Sequence, residues 1–132
     1  MIIDSSAILA ILLAEPDAEY VARAIDAGDL RLISSASLLE TAMVIESRSG
    51  GAGGRDLDYL IRPAAIEVVP FDAEQADIAR HAFRRHGKGR HAAGLDFGDL
   101  FAYALAKASG EPLLYKSGDF ARTDIVSARA AG

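Results

Sequence analysis

One acidic residue of this 132-residue chain stands where an α/β fold places its chemistry. Asp4 ends a short apolar run at the start of the chain and precedes two serines, Ser5 and Ser6. Ligands of open α/β sheets bind at the carboxyl ends of the parallel strands. Asp4 is therefore a candidate metal ligand. It is equally a candidate N-cap for the helix that follows, and the two roles are compatible.

Glu40 is the only charged side chain between Leu32 and Ile45, in a segment that is apolar on nearly every helical face. Such a helix is expected to be buried, and an unpaired buried carboxylate is strongly unfavourable. An arginine, a hydrogen-bond network or a metal must then compensate Glu40. We favour a functional role for this residue over a structural ion pair.

Two further acids complete the candidate set. Asp99 begins a strongly apolar helix, and capping of that helix by Asp96 or Asp99 is the plainer explanation of its position. Asp119 follows the apolar run that ends at Tyr115, which places it at the same sheet edge as Asp4. Asp124, five residues on, competes with Asp119 for the same role.

The four acids predict a divalent metal site. Asp4, Glu40, Asp99 and Asp119 cannot crowd together without a cation, and oxygen ligands of this kind suit Mg²⁺, with Mn²⁺ as a possible substitute. The chain has no cysteine and only three histidines, all within residues 81–91. Zinc and disulfide sites are therefore not expected.

Charge is unevenly distributed along the chain. The net charge of -5, from 14 Lys+Arg against 19 Asp+Glu, counts on average against nucleic-acid binding. Residues 84–91 nevertheless read Arg-Arg-His-Gly-Lys-Gly-Arg-His, a compact basic patch. The patch is either an ordinary solvated loop or a site for anionic ligands.

Short apolar runs alternate with helical patterns, which predicts an α/β fold with a parallel sheet between helices. A length of 132 residues and 51% hydrophobic residues predict one globular domain, residues 1–132. The apolar run at residues 7–14 lacks a basic flank and is too short to span a membrane, so we expect neither targeting nor insertion. The predicted strands are Met1–Asp4, Leu30–Ile33, Ile66–Val69 and Leu113–Tyr115, with a possible edge strand near Ile125–Val126. The predicted helices are Ser6–Leu13, Ala18–Ala27, Ala36–Arg48, Arg55–Ala65, Ala73–His86 and Asp99–Ala108, with a flexible turn at Ser49–Gly54.

Several segments, in this order and spacing, resemble those of the PIN-domain ribonucleases, and closely those of the VapC toxins of bacterial toxin–antitoxin pairs. The resemblance runs from residue 1 to about residue 125. It is carried by Ile-Ile-Asp-Ser-Ser-Ala at the start, then Ser-Leu-Leu-Glu-Thr, Gly-Lys-Gly-Arg-His, Phe-Gly-Asp-Leu-Phe-Ala-Tyr-Ala-Leu-Ala and Leu-Leu-Tyr-Lys-Ser-Gly-Asp-Phe.

The resemblance implies a sheet of four or five parallel strands between helices, an acidic Mg²⁺ site and cleavage of RNA. Asp4, Glu40, Asp99 and Asp119 fall on the family's acidic positions, and Ser6 falls on its small hydroxyl position. Two departures stand out. Asp96 replaces an expected Asn, which adds negative charge near the site, and both Asp119 and Asp124 lie in the tail motif.

The roles that follow can be stated residue by residue. Asp4 and Asp99 are expected to hold Mg²⁺ directly, and Glu40 and Asp119 through water or a second metal. A metal-bound water would then attack the RNA phosphodiester. In the basic patch, the phosphates of single-stranded RNA are expected to contact Arg85, Lys88 and Arg90.

The resemblance also implies partners. We expect a cytoplasmic toxin silenced by a protein antitoxin, which in this family commonly lays a peptide over the active site, and a homodimer is expected as well. Apolar residues near the N-terminus would supply an apolar groove or a dimer face, or belong to the core: Ile8, Leu12, Leu13 and Tyr20.

Two other functions compete with this interpretation. A phosphohydrolase of the haloacid-dehalogenase type would use Asp4 as a nucleophile, but it usually needs a second acid where this chain has Ser6. A PIN fold that binds RNA or a partner without cutting is the other alternative. The presence of all four acids argues against it.

Overall fold

Four short parallel strands form the sheet in a computed structural model, which describes residues 1–89, 91–116 and 118–128. The strands are β1 (Ile2–Ile3), β2 (Leu32–Ser34), β3 (Glu67–Val69) and β4 (Leu113–Leu114). Their spatial order is β3-β2-β1-β4, and Ile2 is in register with Leu32 on one side and Leu113 on the other. The predicted α/β fold with a parallel sheet is confirmed, and β1 is one of its two central strands.

The helices occupy nearly the predicted places. They are α1 (Ser5–Leu12), α2 (Ala18–Ala27), α3 (Ser35–Ile61), α4 (Ala73–His86) and α5 (Phe97–Ser109), followed by a 3₁₀ turn at Gly118–Arg122. In the described part of the chain, no helix is both long enough and apolar enough to cross a membrane.

Both faces of the sheet are buried, because consecutive strand residues point to opposite sides. Ile2 and Leu113 pack with α4, α5 and Phe120 in one apolar cluster. Ile3 and Leu114 pack with α1, α2 and α3 in a second cluster. The sheet is thus sandwiched between two layers of helices, and Asp4 follows β1 directly at the sheet's carboxyl edge.

The turn predicted at Ser49–Gly54 is much shorter in the structure. Only Gly50 leaves helical conformation, with φ 60° and ψ -148°, and the chain is helical on both sides of it. A Cβ built on Gly53 would lie 2.7 Å from the Ile45 carbonyl oxygen. The glycines therefore serve close packing between the two halves of α3, where the sequence suggested flexibility.

The possible edge strand near Ile125–Val126 is not a strand in the structure. The chain runs beside β4 there and makes a single parallel bridge between Leu113 and Ser127. Leu113 donates its backbone N–H to Val126 at 2.9 Å, and Ala128 donates to Leu113 at 2.9 Å. These hydrogen bonds return the tail to the edge of the sheet beside β4.

Candidate active site

Two hydrogen bonds from Ser6 hold Asp4 at the end of β1. It is the N-cap of α1, and its Oδ2 accepts hydrogen bonds from the Ser6 backbone N–H at 3.0 Å and from Ser6 Oγ at 2.5 Å. Its Oδ1 is buried and accepts no hydrogen bond from any described residue. Burial raises the pKa of Asp4 to about 6, and the nearby charge of Glu40 adds to this effect. The cap predicted from sequence is present, and it leaves one carboxylate oxygen unsatisfied.

Ser6 connects Asp4 to the loop after β4. Its hydroxyl donates to Asp4 Oδ2 and accepts the Lys116 backbone N–H at 3.0 Å. Lys116 in turn forms ion pairs with Glu15 and Asp17 in the segment between α1 and α2. The hydroxyl therefore ties two neighbouring strand ends together at the acid.

Glu40 reaches the same region from the first half of α3. Its Oε1 accepts a hydrogen bond from Ser5 Oγ at 2.7 Å. Its carboxylate also lies against Gly98 in the first turn of α5, since a Cβ built on Gly98 would lie 2.7 Å from Glu40 Cδ. One side chain thus bridges α3, α1 and α5.

The expected burial of the Glu40 segment is wrong in part. Glu40 is half-buried, and Leu39 and Met43 beside it are each 62% exposed. One face of α3 packs inwards through residues such as Thr41 and Ile45, and the opposite face is open although its side chains are apolar. Compensation of Glu40 comes from a hydroxyl and partial solvation, and the structure shows no arginine paired with it among the described residues.

Asp99 lies in the first turn of α5 and forms a capping box with Asp96. The Asp99 carboxylate accepts the Asp96 backbone N–H at 3.0 Å, and the Asp96 carboxylate accepts the Asp99 backbone N–H at 3.0 Å. Asp99 is only 9% exposed. Burial raises its pKa to about 8, and the negative charge of Asp96 contributes to this shift. Asp99 therefore both caps the start of α5 and lies among the predicted acids.

The structure separates the two acids of the tail. Asp119, in the 3₁₀ turn, is close enough to Asp99 for its charge to raise the pKa of Asp99, as does the charge of Asp4. Asp124 lies against the middle and end of α5, where it accepts hydrogen bonds from the Tyr103 hydroxyl at 2.6 Å and from the Lys107 ammonium group at 2.7 Å. Burial acts to raise its pKa, but these two hydrogen bonds hold the pKa of Asp124 at about 2. Asp124 is thereby engaged in an ion pair away from the cluster.

The four predicted acids therefore form one electrostatically connected group, and their donors fit a hard divalent cation. All of them offer oxygen, and the buried Oδ1 of Asp4 lacks a hydrogen-bond partner among the described residues. Across residues 1–89, 91–116 and 118–128, however, no group of three or more acidic or histidine side chains is arranged so that it could hold a metal ion. A cation here would be held by few protein ligands, as Mg²⁺ usually is.

The residues of the basic patch at 84–91 differ in their exposure to solvent. Arg85, in the last turn of α4, is exposed and lines a groove with Tyr103 and Lys107. Lys88 is also exposed, whereas Arg90 lies outside the described residues. His86 is buried, and this burial lowers its pKa. The patch is therefore narrower than the sequence indicates, because one of its members points into the protein.

The N-terminal apolar residues belong largely to the core. Ile8 is fully buried, and Leu12, Leu13 and Tyr20 are partly buried against the same apolar cluster. Of the two alternatives that the sequence left open, core packing accounts for most of their surface.

Sequence reasoning missed two residues of the site, Ser5 and Gly98. The sequence does not single out Ser5, because its neighbour Ser6 occupies the family's small hydroxyl position. Gly98 carried a usable signal, since a glycine inside a helix costs about 1 kcal/mol relative to alanine and usually has a packing reason.

The sequence matches those of known proteins over nearly its whole length. Residues 1–126 match the PIN domain family. The chain is 55% identical to the ribonuclease VapC30 of Mycobacterium tuberculosis over 127 residues, which cover 96% of this chain and 97% of that protein. It is also 55% identical to the ribonuclease VapC of Mycolicibacterium smegmatis, covering 96% of this chain and 98% of that protein.

Solved structures share the fold at low sequence identity. VapC20 of Mycobacterium tuberculosis, a toxin that cleaves the sarcin-ricin loop, superposes with a TM-score of 0.79 at 18% identity, covering 98% of both chains. VapBC2 of Rickettsia felis, solved with a DNA fragment from its promoter, gives a TM-score of 0.72 at 18% identity, covering 96% of this chain and 94% of that one.

Proposed function

Because the chain belongs to the PIN-domain VapC ribonucleases, the toxins of VapBC toxin–antitoxin systems, we propose that it cleaves RNA internally with a divalent cation. Asp4 and Asp99 are the proposed direct ligands, and Glu40 and Asp119 act through water or a second ion. Mg²⁺ is the proposed ion, with Mn²⁺ as a substitute. Residues 1–132 are proposed to form a single PIN domain that acts in the cytoplasm.

The single observation that carries the proposal is the state of Asp4. Its Oδ1 is buried beside other acids and accepts no hydrogen bond from any described residue. A buried carboxylate oxygen without a partner is unfavourable, and the raised pKa values of Asp4 and Asp99 express the same cost. A bound cation would remove this penalty for both residues.

The protein groups have distinct tasks in this mechanism. Ser6 orients Asp4 through its hydroxyl, and the capping box orients Asp99 at the start of α5. A divalent cation at such a site supplies a water of lowered pKa and stabilises the charge that develops on the phosphodiester. Of the alternatives, an aspartyl phosphohydrolase is disfavoured because Ser6, the residue two places after Asp4, cannot supply the second acid.

A nuclease assay with the purified protein tests the proposal. RNA labelled at both ends should be cut internally in Mg²⁺ or Mn²⁺, uncut in EDTA, and cut again when Mg²⁺ is restored. Cleavage that survives EDTA would contradict the metal requirement. Tight RNA binding without cleavage in any of these ions would favour the non-catalytic alternative.

We propose that Arg85 and Lys88, together with Arg90, bind the backbone of single-stranded RNA through its phosphates. Reversing the charge of Arg85 and Lys88 should weaken binding of single-stranded RNA. The slope of log K against log salt should become shallower by about 0.7 for each phosphate that the protein no longer neutralises. Arg23→Glu on α2 is the matched control, since Arg23 is 72% exposed and pairs only with Glu19 among the ion pairs of the described residues. An unchanged salt slope in the Arg85/Lys88 variant would rule this interaction out.

A cognate antitoxin of the VapB type is the proposed protein partner, supported by the VapBC pairing of the structural relative. A peptide segment with a basic side chain would suit the acidic site, because it would offset charge that is otherwise repulsive. A homodimer is proposed as the toxin's own assembly. Sequencing the DNA that flanks the gene, then co-expressing and co-purifying the chain with any small open reading frame found there, tests the antitoxin pairing.

A further inference from the structure

We propose that Ser5 and Gly98 are positioning residues which together hold the Glu40 carboxylate at the acidic site. The proposal rests on the function proposed above, because it assumes that Glu40 takes part in the reaction. It assigns a task to two residues outside the four acids and the Ser6 hydroxyl.

Ser5 supplies the hydrogen bond. It is the first residue of α1, it is 9% exposed, and its Oγ donates to Glu40 Oε1 at 2.7 Å across 35 positions of sequence. Its neighbour Ser6 donates to Asp4 instead. Two consecutive hydroxyls at the start of α1 therefore orient two different acids, one at the end of β1 and one from α3.

Gly98 supplies the space. A Cβ at this position would lie 2.7 Å from Glu40 Cδ and 3.0 Å from Glu40 Oε1 and would overlap the second carboxylate oxygen. Real Cβ atoms essentially never approach other atoms this closely. The carboxylate is flexible enough to move aside, so a methyl group here would displace Glu40 and leave the helix itself intact.

Glu40 needs such a hold for two physical reasons. It is half-buried, so solvent is within reach of its carboxylate, and a glutamate side chain regains rotamer entropy when it is released. Its charge also lies close enough to Asp4 for the two carboxylates to repel each other. Both effects push the side chain outwards, and the Ser5 hydroxyl opposes them.

The first experiment compares Ser5→Ala with Ser5→Thr, which keeps the hydroxyl. Ser5→Ala should lower kcat/KM for RNA cleavage by about 10–100-fold, the usual effect of removing a group that orients a metal-site residue. Mn²⁺ affinity measured by calorimetry should fall over the same range, and Ser5→Thr should recover most of both. Ser47→Ala is the matched control, because among the described residues the Ser47 hydroxyl donates to the Met43 carbonyl on the exposed side of α3 and contacts none of the four acids.

A double-variant cycle shows whether Ser5 acts through Glu40. In a Glu40→Ala background, Ser5→Ala should change kcat/KM by less than about twofold, since the group it positions is gone. An equal loss in both backgrounds would overturn the positioning role while leaving the proposed active site in place. A Glu40→Ala protein as active as the wild type would instead overturn the participation of Glu40, and this role with it.

The Gly98→Ala variant provides a test of the proposal that does not depend on Ser5. The variant should melt at or above the wild-type temperature, because alanine favours the helix, yet its kcat/KM should fall by at least about tenfold. Full activity in a folded Gly98→Ala protein would overturn the steric half of the proposal.

Discussion

Asp99→Asn and Asp4→Asn are each expected to abolish RNA cleavage and yet to make the metal-free protein more thermostable. Each replacement removes a carboxyl group whose ionisation is disfavoured by burial and by nearby negative charge, and it keeps an oxygen that can accept the local hydrogen bonds. Loss of a metal ligand removes several kcal/mol of transition-state stabilisation, which is a rate loss of at least about 10³-fold. Removal of this cost of burial, which the carboxyl group bears whether it stays ionised or takes up a proton on folding, should stabilise the fold at neutral pH by about 1–3 kcal/mol.

Asp124→Asn is the control variant, for which the expected change in melting temperature has the opposite sign. Hydrogen bonds from Lys107 and Tyr103 hold the pKa of Asp124 at about 2, so its charge stabilises the fold at neutral pH. Its replacement should lower the melting temperature and leave the catalytic step nearly unchanged.

Thermal melts in EDTA and cleavage rates in Mg²⁺ distinguish these variants. A folded Asp4→Asn/Asp99→Asn double variant with wild-type cleavage would refute the proposed ligands. A fall in melting temperature for Asp99→Asn would show that its burial is compensated by a contact outside the acidic cluster.

RNA cleavage at low Mg²⁺ is expected to fall steeply as the pH drops from about 8 to about 5. The pair of Asp4 and Asp99 must be deprotonated to bind a cation, and burial raises the pKa of Asp4 to about 6 and of Asp99 to about 8. The rate should fall by one power of ten per pH unit below about pH 8. Below about pH 6 it should fall by up to two powers of ten per pH unit. Saturating Mg²⁺ should move both inflections to lower pH, because the cation competes with protons.

Calorimetry in buffers of different ionisation enthalpy should detect proton release when Mg²⁺ is added near pH 7. The Asp99→Asn variant should release fewer protons than the wild type, while Asp124→Asn should match the wild type. A rate at subsaturating Mg²⁺ that is flat between pH 5 and 8 would contradict this prediction.

The same pKa values determine how the stability of the metal-free protein depends on pH. Between the unfolded value of 3.8 and about 8, folded Asp99 retains a proton that the unfolded chain has released. The stabilisation that this proton provides is complete below pH 3.8 and disappears as the pH rises through about 8. The difference in unfolding free energy between the wild type and Asp99→Asn should therefore widen with pH across this window.

Local pattern predicted the elements that carry the acids. The apolar run before Asp4 and the apolar helix after Asp99 are each read from a few consecutive residues, because strand burial and helix periodicity are local properties. The order of the short apolar runs then predicted a parallel sheet whose carboxyl edge gathers residues that are distant in sequence. The helix bounds at Ala18–Ala27 and Ala73–His86 were correct to the residue.

Long-range packing decided what the local pattern left open. The apolar composition around Glu40 predicted full burial, but its depth depends on which face of α3 meets α1 and the sheet, and Leu39 and Met43 lie on the open face. The glycine run after Arg48 predicted a flexible turn. In the structure, Gly53 instead allows close packing against Ile45, because a Cβ there would collide with the Ile45 carbonyl oxygen.

The sequence by itself determined which residue types are available and on which elements they lie: carboxylates beside strand ends and helix starts, and a basic segment after α4. Only the tertiary structure decided that Asp119 adds its charge to Asp99 while Asp124 pairs with Lys107, and that Ser5 and Gly98 meet Glu40. The physical reason is that hydrogen bonds and charge interactions act over a few ångströms. Which side chains come that close is decided by how the helices pack, and the members of each pair are 17 or more positions apart in the chain.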